Sequence, residues 1–88
     1  MRPIPKSEFA RLVPVSSSQL LSWLREYRED LQKLGANVRD NTLNYLCVLY
    51  LCDKQVVDTR EIYPDATQEE IKEAYSKISN LLQNEKVV

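Results

Sequence analysis

The sequence predicts a small, mainly α domain of about four helices, on three observations. Two segments carry apolar residues at helical spacing, Leu20 to Leu34 and Ile71 to Leu82. Two helix-start signals follow each other nine residues apart near the C-terminal end, Asp58 with Glu61 and Thr67 with Glu70. No pair of alternating runs joined by a hairpin turn competes with them, and Gly35 is the only glycine.

At 88 residues the chain reads as a single domain over 1–88, near the lower end of what can bury its own core. With 43% hydrophobic residues it is expected to be globular. The net charge of -1 creates no global field that would gather nucleic acid or anionic membrane. Charge is nevertheless unevenly placed: residues 1–44 hold seven basic and five acidic side chains, residues 45–88 five and eight. Any electropositive surface must draw mainly on the first half.

Residues 1–15 contain Pro3, Pro5 and Pro14 and read as an irregular arm with one helical turn around Ser7 to Leu12. Its Ile4, Phe9, Leu12 and Val13 can pack back onto a core. A helix over 16–35 starts at a cap among Ser16 to Ser18, follows Leu20, Leu24, Tyr27, Leu31 and Leu34, and stops at Gly35. Trp23 lies off that seam beside Tyr27, either as a lid over the core edge or as an exposed anchor; Trp23 and Tyr27 are the candidate protein-interaction residues.

Asp40, Asn41 and Thr42 offer caps for a helix from Leu43 to Cys52; Tyr45 to Cys52 is so apolar that periodicity alone does not separate a central helix from a buried strand, and the cap signals favour helix. Cys47 and Cys52 fall inside it, five residues apart and pointing in different directions. They are expected to be buried free thiols, which implies a reducing, intracellular setting. The longest apolar run is eight residues, far below the ~20 needed to span a bilayer.

Val56 and Val57 read as a short strand, with Val57 and Ile62 as a hydrophobic staple around Asp58. Asp58 opens a short helix ended by Pro64. Thr67 opens the last helix, with Ile71, Ala74, Tyr75, Ile78, Leu81 and Leu82 on one stripe. Lys86, Val87 and Val88 could begin a strand pairing with Val56 and Val57.

Taken together, residues 42–88 resemble a winged-helix domain: an apolar helix, a short strand, a small helix, a turn, a longer helix and the start of a hairpin. The resemblance implies a winged-helix-like C-terminal half with a helix-turn-helix at its centre, and it opens a DNA-binding reading. Arg39, Arg60, Thr67, Gln68, Lys72, Lys77 and Lys86 would then be the nucleic-acid contacts; otherwise they are ordinary solvated residues. The reading helix also carries Glu69, Glu70 and Glu73, an unfavourable field against phosphates. A shorter phrase, DATQEEIKEAYSKI, is similar to the start of the second helix of J-domain co-chaperones. The chain has no His and hence no His-Pro-Asp motif, so the phrase reads as a capping box followed by an amphipathic helix.

No catalytic, metal-binding or cofactor signature emerges. There is no imidazole for acid-base work or to activate a thiol, and no glycine-rich phosphate loop. The expectation is a non-enzymatic protein-interaction module or small regulatory adaptor without cofactor. A DNA-binding regulator is the alternative, and either could act as a homodimer.

Overall fold

The computed structural model describes residues 1–36 and 39–83. Among these, five α-helices, one 3-10 turn and a two-stranded sheet follow in the order β1 (Ile4–Pro5), α1 (Lys6–Leu12), α2 (Ser17–Glu26), α3 (Arg28–Lys33), β2 (Thr42–Leu43), α4 (Tyr45–Lys54), the 3-10 turn Thr59–Glu61 and α5 (Gln68–Gln83). The chain is mainly α, as its spacing predicts. Among the described residues no helix is long and apolar enough to cross a membrane.

The apolar run Leu46 to Cys52 is helical and buried at every position, the state expected of a helix that is apolar all round. Helix α4 is therefore the axis on which the others pack. Its N-cap is Asn44, later than the three caps the sequence offers; the Asn44 Oδ1 accepts from Cys47 N at 2.9 Å. Thr42, one of those three, is in β2. The other end of the Asn44 amide donates to Leu34 O at 2.9 Å, so one side chain joins the end of α3 to the start of α4.

Two tyrosines fasten α3 and α5 to this axis, and a third ties the segment after the 3-10 turn to the N-terminal residues. Tyr50 donates to Asp30 on α3, Tyr75 on α5 donates to Leu49 O at 3.1 Å, and Tyr63 donates to Arg2 O at 2.7 Å. Burial raises all three hydroxyls above the ordinary tyrosine range, Tyr75 to about 12. None of the buried side-chain polar atoms among the described residues lacks a partner.

Several local expectations need correction. The arm is not irregular: Ile4 pairs with Leu43 and Pro5 with Thr42 in an antiparallel ladder, and α1 follows at once. Proline is harmless here, because Pro5 stands just before the first helical residue with φ -59, where no donor is needed. The single helix expected over 16–35 breaks at Tyr27, whose φ of -103 and ψ of 21 leave the helical basin. That residue stacks edge-on against Tyr50 at 5.6 Å and accepts from Gln55 Nε2 at 3.3 Å, tertiary contacts that hold the bend.

The second short helix is only one 3-10 turn, capped by Asp58 Oδ1 accepting from Arg60 N at 2.9 Å. Val56 and Val57 form no strand. They close the end of α4 in a turn, with Val56 at φ 55 and Val57 N bonded to Cys52 O at 2.8 Å. The strand expected at Lys86 to Val88 lies outside the described residues. The Thr67 box forms as expected: Glu70 N donates to Thr67 Oγ1 and Thr67 N to Glu70 Oε1, both at 3.1 Å.

Candidate functional site

Only two large hydrophobic residues stand out from the surface among the described residues, Leu21 at 48% exposure and Val56 at 92%. Leu21 matters for a site because it is not alone. On α2, Leu21, Leu24 and Arg25 fall at i, i+3 and i+4, and Arg28, the first residue of α3 beyond the bend at Tyr27, extends the same stripe. This stripe forms one wall of a groove whose floor includes Leu31 and Leu43 and whose far rim carries Lys6 at the start of α1.

The elements hold the groove open for local reasons. Ser16 caps α2 by accepting from Gln19 N at 3.1 Å, which fixes the rotation of the helix. With Leu20 and Trp23 turned into the core, Leu21 faces outward, and Leu24, one turn on from Leu20, lies half-buried at the core edge beside it. Lys6 is placed by its own amide, which donates to Asn41 O at 2.8 Å and continues the β1–β2 ladder.

Charge in the groove has one sign. Lys6, Arg25 and Arg28 line it and, among the described residues, no carboxylate does; Glu26 and Glu29 lie beside the stripe but outside the lining. None of the three cations is held in an ion pair among the described residues, whereas Arg2 binds both oxygens of Glu8 at 2.7 and 3.1 Å, and Arg60 lies 3.5 Å from Asp58. Those pairs hold the Glu8 carboxyl below the ordinary range, mainly through the Arg2 bond, and Asp58 below it mainly through the Arg60 amide.

A second hollow lies between the N-terminus and the Tyr63 region, lined by Glu61, Asp65 and Glu70. Its one basic side chain among the described residues, Arg2, is already engaged by Glu8. No group of His, Cys, Asp or Glu among the described residues could hold a metal ion. The thiols of Cys47 and Cys52 are buried, and burial raises them to about 11 and about 12 respectively, so at neutral pH they are protonated and poor nucleophiles.

The candidate residues named from the sequence are scattered. Trp23 is 7% exposed and belongs to the core, the lid of the two readings and not the exposed anchor. Tyr27 is half-buried against Tyr50. Arg39 and Arg60 sit on exposed turns, Thr67 and Gln68 at the start of α5, and Lys86 outside the described residues. Lys72 and Lys77 are exposed but lie on different flanks of α5: Lys72 borders a hollow with Ile71 and Tyr75, Lys77 one with Glu70 and Glu73.

Comparison with protein-family models, with curated proteins and with solved structures gives no match to this chain. The functional reading therefore stands on geometry. The residues it turns on, Lys6, Leu21, Arg25 and Arg28, escape the sequence analysis because the heptad seam through Leu20 and Leu24 draws attention away from the neighbouring stripe. The four-residue spacing from Leu21 to Arg25 and from Leu24 to Arg28 is the signal that could have shown it.

Proposed function

We propose that this chain is a protein-interaction module, whose helical scaffold presents the α2–α3 groove to a protein partner. The observation that carries the reading is a hollow in which half-exposed Leu21 and half-buried Leu24 stand over the buried Leu31 and Leu43, rimmed by cations that have no ion-pair partner among the described residues. Apolar surface in a concave setting favours a partner that can bury it. The α5 surface supports DNA contact poorly: its two lysines diverge, and Glu69, Glu70 and Glu73 share the exposed face.

Two measurements on the full chain test the proposal. Selection from a random peptide display library should enrich binders of micromolar affinity whose affinity falls only a few-fold between about 50 and 200 mM salt. Fluorescence anisotropy with random-sequence duplex DNA should show no comparable binding. Failure to enrich any peptide, together with DNA binding that falls steeply with salt and is lost in Lys72→Glu plus Lys77→Glu, would instead support a DNA-binding regulator.

A further inference from the structure

We infer that the α2–α3 groove takes an acidic amphipathic helix from another protein, its apolar face on Leu21 and Leu24 and its carboxylates against Lys6, Arg25 and Arg28. The inference rests on the protein-interaction reading and specifies the partner's chemistry. An apolar floor selects a ligand with an apolar stripe, and the one-sided rim selects its charge, since a basic segment would meet three cations with no carboxylate in the lining.

A helix suits the groove better than an added strand. Extending a sheet requires a free edge of some length, and β2 is two residues long with one side already paired to β1. A helix needs no backbone partner and can lay residues at i, i+3, i+4 and i+7 along the matching stripe of Leu21, Leu24, Arg25 and Arg28. Nucleic acid fits less well, because the floor is built of leucines and carries no aromatic ring on which a base could stack. The exposed apolar strip is also short for a membrane surface, with Leu21, about half exposed, the only exposed large hydrophobic on α2.

The test uses a labelled peptide of about 18 residues with Leu at helical spacing and Glu elsewhere, the same peptide with Lys for Glu, and vesicles of phosphatidylserine and phosphatidylcholine. We expect the full chain to bind the acidic peptide and to discriminate against the basic one by ~10-fold or more. Arg25→Glu plus Arg28→Glu should reverse that preference, and Leu21→Asp should weaken the acidic peptide by ~10-fold. All three positions are exposed, so unchanged helical circular dichroism and Tm confirm that the variants are folded.

Equal binding of the two peptides, or acidic-peptide binding untouched by the double charge reversal, would overturn the inference. Vesicle binding stronger than peptide binding and lost in the same variants would overturn it in favour of a lipid surface. Display selection separates the levels: binders that are not acidic, or that map away from Leu21, overturn the groove assignment while the interaction reading stands. The absence of any binder removes both.

Discussion

Helices α3 and α4 end in the same hydrogen-bonded turn, with opposite residues at its left-handed position. At the first end, Ala36 N bonds to Leu31 O at 2.9 Å and Gly35 N to Gln32 O at 3.0 Å; at the second, Val57 N bonds to Cys52 O at 2.8 Å and Val56 N to Asp53 O at 3.4 Å. Both are Schellman closures. Gly35 takes φ 97 without a Cβ to object, whereas Val56 holds φ 55 with a branched Cβ and is 92% exposed. The glycine end is thus set by local preference. The valine end is held by what surrounds it, chiefly the packing of buried Cys52 and half-buried Val57 against the core on either side.

The largest effect should come from making the first end resemble the second. In Gly35→Val a Cβ would stand 3.1 Å from Asn44 Nδ2, the donor to Leu34 O, and would also carry the strain of φ 97. A loss of about 2 to 3 kcal/mol in urea unfolding is expected, from left-handed strain and a weakened hydrogen bond at the α3–α4 corner. A loss under about 0.5 kcal/mol would mean that this corner tolerates a side chain, and the contrast between the two ends would collapse.

Next in size is an alkaline effect, because each closure carries a thiol. Cys47 Sγ points at Leu31 O, 3.8 Å away, the carbonyl that receives Ala36 N; Cys52 supplies the carbonyl that receives Val57 N. Burial raises Cys47 to about 11 and, with help from Asp58 and Glu61, Cys52 to about 12. The folded chain therefore keeps these protons where the unfolded chain has lost them. Their contribution is complete below the ordinary thiol value of 9.0 and is lost as pH rises from there towards about 11 and 12. Urea midpoints measured from pH 8 upward should fall, and Cys52→Ala should flatten that slope more than Cys47→Ala, whatever each costs at neutral pH.

Converting the second end to the first should be milder and opposite in sign. Val56→Gly relieves the left-handed strain of a branched residue but adds freedom to the unfolded chain, leaving a gain of about 1 kcal/mol, or about 5 °C in Tm. No gain would show that the turn's packing already compensates for the strain, which would sharpen the view that the valine end is fixed from outside.

The same contrast explains which parts of the fold were legible in the sequence. Gly35, the Thr67 box and the stripe of α5 follow from local chemistry, and the structure contains all three. Val56 and Val57 read as a strand because branched pairs favour strands, yet the closure of α4 overrides that preference. The bend at Tyr27 and the ladder of Ile4–Pro5 with Thr42–Leu43 depend on partners more than twenty residues away, which no local window holds. The groove was hidden for a related reason. Seeing it requires knowing which side of α2 the core takes, and Trp23, off the sequence seam, takes that side.

A helix start gives the smallest effect and a scale for the two ends. Thr67 and Glu70 bond reciprocally at an exposed site, where solvent already serves each group well. Thr67→Ala should lower Tm by about 3 °C at neutral pH. The Thr67 amide and hydroxyl hold the Glu70 carboxyl below its ordinary range, so the box contributes fully above that range and fades as pH falls through the lowered value. The Tm difference between wild type and Thr67→Ala should accordingly shrink from pH 7 to about pH 2, although the hydroxyl bond to Glu70 N keeps it above zero. If the difference is independent of pH, the hydroxyl acts only by accepting from Glu70 N, since the main-chain amide at position 67 keeps its bond to the carboxylate in the variant. A difference as large as that of Gly35→Val would mean that helix starts and helix ends constrain this fold equally, which the contrast between Gly35 and Val56 does not predict.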